Sequence, residues 1–295
     1  MKKILILISI IISFASCKIK NNSTNSVSTV DSTLQIKVDS MLQNRLSELN
    51  ATAGQVIVME VQTGEIKASA GTELKPQESG LIRTASLLAV LETKTVQLSD
   101  TIDVGNGTLI IGKDTLLDHN WYRGGYGKIT IQQGFGLSSN IANYKTAKHT
   151  FKDAQAFAKA LTKYGYQVKD TSLIYNPSGY GVLTTPLQNL TFYNAIAQGT
   201  ISDKATANSI KLALEYTVTN GLAKPAMSDE VKIAGATGTI QLPNGEYAVE
   251  FCGYFPADNP QYSVIVSIKK KDKPASGGLM AGTVFKQIAE FLIVK

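Results

Sequence analysis

The chain is poor in the residues that build cysteine frameworks and metal centres: its 295 residues include two cysteines and two histidines. Cys17 ends an apolar leader and Cys252 lies in the strand-like run Glu250-Phe251-Cys252-Gly253-Tyr254-Phe255, so an internal disulfide is not expected. Cys252 reads as a small core residue. His119 and His149 have no carboxylate at ligand spacing, which argues against a zinc site; no metal and no cofactor is expected. Trp121, the one tryptophan, reads as a packing anchor rather than a ligand platform. Lysines are scattered except for Lys269-Lys270-Lys271, which sit beside Asp272 in a solvated turn, so there is no basic and aromatic platform for nucleic acid. The longest apolar run, Ile4 to Phe14, is too short to span a bilayer comfortably. No Pro/Gly-rich break follows residue 30 and no internal repeat is present, which favours one domain over 31–295.

The N-terminus has the layout of a secretory signal: Lys2 and Lys3, the apolar run, then small residues. Its ending, Ala15-Ser16-Cys17, resembles a bacterial lipobox, which implies removal of residues 1–16 and lipidation of Cys17. The plainer alternative is an ordinary signal with an incidental cysteine. Residues 17–30, with Asn21-Asn22-Ser23-Thr24-Asn25-Ser26, read as a flexible tether. The formal charge of +6 falls to about +4 once Lys2 and Lys3 leave with the leader. The expected address is the bacterial cell envelope, lipid-anchored and facing the periplasm, with the leaflet unassigned.

Glu78 to Glu92 organises the rest. Leu81, Ile82, Ala85, Leu87, Leu88, Ala89, Val90 and Leu91 cannot share one stripe, and a helix without a polar face is buried on all sides. Ser79 reads as its N-cap, which puts unpaired N–H groups at residues 79–81, where a catalytic protein of this build would carry a nucleophile. Leu34, Val38, Leu42, Leu46 and Leu49 predict an amphipathic helix over Ser32 to Asn50, followed by two strands joined at Gln62-Thr63-Gly64. Thr101 to Tyr126 reads as loop and short strands. Further helices are expected after Ser138, over Asp153 to Tyr164, Tyr180 to Gly199 with Pro186 at a helix start, and Ala205 to Asn220. The C-terminal part alternates strand and turn, with a turn at Leu242-Pro243-Asn244-Gly245, and closes in a helix over Gly282 to Ile293. Strands at both ends around a helical block predict an α+β fold: an antiparallel sheet flanked by helices, with an inserted helical lobe.

Six blocks in order carry a family likeness: G-Q-V-I-V-M-E-V-Q-T-G-E-I-K-A, S-S-N-I-A-N-Y-K, Y-G-V-L-T-T-P-L-Q-N-L-T, A-G-A-T-G-T-I-Q, F-C-G-Y-F-P-A-D-N-P-Q-Y and S-G-G-L-M-A-G-T-V-F-K-Q-I-A-E. From about Ser32 to Lys295 the chain resembles the transpeptidase domain of class B penicillin-binding proteins. The resemblance implies three motifs. An S-x-x-K at the start of the central helix gives a serine nucleophile and a lysine base, an S-x-N gives a relay hydroxyl and a substrate-holding amide, and a K-T-G gives a cation and hydroxyl for the substrate carboxylate beside the oxyanion hole.

Two of the three are broken here. Gly80 and Arg83 occupy the nucleophile and base positions, and arginine does not serve as a base. The second motif stands as Ser138-Ser139-Asn140. The third reads Ala236-Thr237-Gly238 with Thr239 after it, so the cation is lost. Lys232, four residues upstream and about 13 Å away along a strand, cannot replace it. Ser138, Asn140, Thr237, Gly238 and Thr239 are the expected peptide-binding residues. The expectation is therefore a pseudoenzyme that binds peptidoglycan stem peptides or a protein of the cell-wall or division machinery. The alternative is an active D,D-transpeptidase, carboxypeptidase or β-lactam-reactive enzyme with another nucleophile, Ser79 being the best placed.

Overall fold

The computed structural model describes residues 30–293, so the leader, Cys17 and nearly all of the tether lie outside the described residues. The chain opens with α1 (Ser32–Glu48), capped by the Asp31 side chain on the Leu34 N–H, then β1 (Ala53–Glu60), β2 (Ile66–Gly71) and the two-residue β3 (Gln77–Glu78). α2 (Ile82–Glu92) precedes β4 (Thr101–Asp103), β5 (Thr108–Ile111), β6 (Asp114–Leu117) and β7 (Lys128–Thr130). α3 (Ile131–Gly136), α4 (Asn140–Thr150) and α5 (Ala154–Lys163) follow, then β8 (Gln167–Val168), β9 (Val182–Thr184), α6 (Pro186–Gln198) and α7 (Lys204–Asn220). β10 (Ala234–Gln241), β11 (Tyr247–Phe255), β12 (Tyr262–Lys270) and α8 (Thr283–Ile293) complete it.

The main sheet is antiparallel with strand order β10-β11-β12-β1-β2. Both of its faces are covered, which explains why its strands read as continuous apolar runs rather than alternating ones. Successive side chains point to opposite faces: Val56 and Val58 enter a core shared with α1 and α8, while Ile57 and Met59 enter the core of the helical lobe. On β11, Val249, Phe251 and Phe255 face the first core, and Cys252 and Tyr254 the second. Cys252 is thus a buried, unpaired core residue. The expected α+β arrangement, a sheet built from both chain ends with helices inserted between them, is what forms.

Two boundaries differ from expectation. The central helix starts at Ile82 rather than at Glu78, because Glu78 pairs with Leu183 in a small sheet and Ser79 to Leu81 form the turn between them. Tyr180 to Gly199 is not one helix: Val182–Thr184 is a strand, and the helix begins at Pro186 with Thr185 as its cap. Among the described residues no helix is long and apolar enough to cross a membrane.

Candidate functional site

The site forms where the mouth of α2 meets the free edge of β10. Nine of the eleven residues of α2 are buried, so the helix is fixed on all sides. Its N-terminal turn lies against β10 so closely that a Cβ on Gly80 would stand 2.8 Å from the Thr239 backbone nitrogen and 2.9 Å from the Gly238 Cα. Real Cβ atoms do not approach backbone that closely. Glycine is the residue that permits the contact, and the volume a nucleophilic side chain needs is filled by the strand.

Ser79 faces the other way. It is fully buried, its hydroxyl donates to Glu250 on β11, and it accepts from the Asn189 amide at 3.2 Å and the Leu81 N–H at 3.2 Å. It is not the helix cap expected from the sequence, since the capping position falls on Leu81. As a fallback nucleophile Ser79 is shut in the core, its hydroxyl engaged by Glu250, the Asn189 amide and the Leu81 N–H. Glu250, also held by the Ser267 hydroxyl at 2.7 Å, is a buried acid whose pKa burial pushes up, with both serine contacts opposing the shift.

Arg83, one helical turn on, points into the cleft. One terminal nitrogen donates to the Ser138 carbonyl and the other to the Asn140 side-chain oxygen, both at 2.8 Å. The Ser138-Ser139-Asn140 turn is therefore tied to the helix by Arg83. Burial lowers the Arg83 pKa to about 10, with Tyr180 and Asp118 opposing the shift, and it stays charged at neutral pH. Asn140 is engaged twice, since its amide nitrogen also donates to the Leu117 carbonyl at 2.8 Å. Ser139 caps α4 at the Ala142 N–H and donates to buried Asp118 at 2.7 Å, while Ser138 sits in a left-handed turn with φ 52°.

The third motif lies on β10 as expected. Ala236 and Gly238 face the helical lobe, and Ala236 is part of its apolar core. Lys232 pairs with Asp258 at 3.7 Å at the surface, where both side chains are exposed. Along the free edge of β10, the Thr217 hydroxyl donates to the Gly235 carbonyl and the Gln241 backbone N–H donates to the Tyr180 hydroxyl. Backbone groups alternate in direction along a strand, so Thr237 and Thr239, between those two residues, present their N–H and C=O to the same edge. That edge borders a cleft of about 630 Å³ lined by Arg83, Ser138, Asn140, Thr237, Thr239 and the segment 275–279.

Trp121 corrects an expectation. It is 51% exposed, on a short 3₁₀ turn between the cleft-lining His119 and Arg123, edge-on to Tyr122. The backbone is what is anchored, because Gly107 packs against the Trp121 Cα, where a Cβ would come within 2.9 Å. The same turn brings in two residues with no role expected from the sequence. His119 and Arg123 line the cleft, His119 meeting the Tyr126 hydroxyl at 2.9 Å and Arg123 stacking over Tyr122 at 5.0 Å. Partial burial of the His119 ring lowers its pKa, and the charges of Arg123 and Arg83 add to this against Asp118. Among the described residues no three His, Cys, Asp or Glu side chains gather as a metal-ligand group.

A central helix pointing at the free edge of an antiparallel sheet, with an S-x-N turn opposite, gives the chain a transpeptidase fold. Residues 54–290 match the penicillin binding protein transpeptidase domain, and the chain belongs to that family. The solved transpeptidase domain of Burkholderia pseudomallei penicillin-binding protein 3 superposes with a TM-score of 0.81 at 21% identity, covering 90% of this chain and 95% of that one. A peptidoglycan glycosyltransferase from Burkholderia ambifaria gives 0.79 at 22%, covering 90% and 96%. Penicillin-binding protein PbpB of Mycolicibacterium smegmatis is 22% identical over 90% of this chain, which spans 54% of that protein's length. Stage V sporulation protein D of Bacillus subtilis is 33% identical over 30% of this chain and 14% of its own length.

Proposed function

We propose that the protein is a pseudoenzyme: a lipid-anchored cell-envelope protein of transpeptidase fold that no longer forms an acyl intermediate and binds peptide in the old cleft. The observation that carries this reading is the approach of Gly80 to Thr239, which leaves no room for a nucleophile where the family has one. Loss of the nucleophile in a comparable serine hydrolase lowers turnover about a millionfold, equivalent to roughly 8 kcal/mol of barrier. Here the base position is also tied up in structural hydrogen bonds and the third-motif cation is absent.

Peptide binding rather than a purely structural role is supported by three features. The cleft is open, Arg83 lines it while Leu81 and Ile82 are buried in the core, and a strand edge is free to pair with an extended chain. Peptidoglycan stem peptides fit that description, and a protein of the cell-wall machinery entering as an extended segment fits the same edge. Nothing favours the active-enzyme alternative, since Ser79 would have to leave a buried hydrogen-bonded position to reach a substrate. Ala15-Ser16-Cys17 supports the lipid anchor, and replacing Cys17 by alanine is expected to abolish labelling by radioactive fatty acid.

Fluorescent penicillin labelling with intact-mass measurement tests the central point. The expected result is the unmodified mass after prolonged exposure. A stoichiometric acyl adduct would overturn the proposal.

A further inference from the structure

Three basic side chains, Arg83 from α2 and His119 and Arg123 from the turn after β6, line the cleft, and no aspartate or glutamate lines it. Among the described residues neither arginine has a carboxylate within ion-pair distance. The nearest acid, Asp118, is buried, and both its oxygens are taken, one by the Ser139 hydroxyl and one by the Ile141 N–H. Arg83 is partly buried with only neutral acceptors and Arg123 is exposed, so an anion entering the cleft meets two guanidinium charges that no carboxylate has neutralised. Arg83 spends one N–H from each terminal nitrogen on Ser138 and Asn140, which leaves three of its five donors.

We propose that Arg83, His119 and Arg123 form an anion subsite that takes the carboxylate of a bound peptide in the cleft they share with Thr237 and Thr239. The inference rests on the peptide-binding reading and adds a direction to it. With alanine at position 236 the strand offers no cation, so charge recognition falls to Arg83, His119 and Arg123 while Thr237 and Thr239 hold the peptide backbone. A guanidinium fork suits a carboxylate because it can donate two parallel hydrogen bonds.

His119 reports on the site. The charged and titratable groups around it are Asp118, Arg83, Arg123 and Tyr126. An anion bound between the arginines raises its pKa. The chain has two histidines, so proton NMR shows two imidazole C2–H signals, and His119→Gln identifies the one of interest. The probes are N-acetyl-D-alanyl-D-alanine, its C-terminal amide, an amidated peptide carrying one side-chain carboxylate, and acetate.

The free acid is expected to raise the His119 pKa and to bind at least about tenfold more tightly than its amide. Arg83→Gln and, separately, the exposed Arg123→Gln each remove most of that preference. Equal binding of acid and amide overturns the inference while leaving peptide binding intact, as does an acid preference that survives in both variants. If neither peptide binds but acetate raises the His119 pKa in an Arg83-dependent way, the anion subsite holds and the peptide reading fails. If no probe moves His119, the inference fails. The side-chain carboxylate peptide distinguishes a terminal from an internal acid: binding of that peptide alone assigns the subsite to an acidic side chain.

Discussion

The Cα of Gly80 is packed against the Thr239 backbone so tightly that a Cβ would lie 2.8 Å from the nitrogen. Gly80 stands where the family resemblance puts the nucleophile, and the strand occupies the space a side chain there would need. Restoring a serine is therefore a packing problem before it is a chemical one. Gly80→Ser is expected to cost about 1–3 kcal/mol, the range of overpacking in a rigid core, and to leave penicillin labelling at zero. The triple variant Gly80→Ser, Arg83→Lys, Ala236→Lys adds a lysine to an apolar core and is expected to be less stable still. Urea unfolding midpoints and intact mass check both.

Arg83 is expected to be structural as well as electrostatic. Arg83→Met leaves the Ser138 carbonyl and the Asn140 oxygen without their donor, a loss of about 1–3 kcal/mol for partly buried groups. Arg83→Lys recovers only part of it, since an ammonium cannot fork to both acceptors. A double-mutant cycle with Asn140→Ala isolates the direct pair, and a coupling near zero would show that the second motif holds itself.

Trp121 is a convenient reporter. At 51% exposure its replacement by alanine is expected to change stability by no more than about 0.5 kcal/mol, as for surface positions generally. As the one tryptophan, between two cleft-lining residues, it is expected to be quenched by acrylamide and protected when a peptide fills the cleft. Fluorescence titration checks this, and unchanged quenching in saturating peptide would mean that Trp121 is not part of the footprint.

The sequence made the fold and three motif positions readable because each rested on local pattern. Apolar runs marked β1, β11 and β12, the all-round apolar helix marked the centre, and Ala236-Thr237-Gly238 could be aligned residue by residue. What it hid were relations between distant segments. Nothing near Gly80 signals that Thr239 is against it, 159 positions away in the chain. Ser79 looked like a cap because serine before an apolar run usually is one, whereas a buried carboxylate on β11 turns its hydroxyl inward. Trp121 looked like a packing anchor because tryptophan usually packs, yet here the backbone around Gly107 supplies the packing. His119 and Arg123 carried no local signal at all, and only the neighbourhood of Arg83 gives them meaning.

Glu250 makes a pH prediction whose sign follows from its burial. Its folded-state pKa lies above the ordinary value of 4.5 because burial penalises the carboxylate more than Ser79 and Ser267 support it. The folded protein then holds this proton more tightly than the unfolded chain does. Between the two pKa values the native state binds more protons, so unfolding free energy falls as pH rises through that window. The contribution is present in full below the unfolded value and is lost above the folded one. Glu250→Gln keeps the shape, lets its amide meet the same two hydroxyls and removes the ionisation. The variant is expected to lose this downward slope and to be at least as stable as the parent at pH 8. Urea unfolding of both proteins from pH 4 to 8 checks it. Because every other titrating group is shared, the difference curve isolates Glu250, and a difference that rises in the parent's favour with pH would mean that the carboxylate is stabilised in place rather than strained.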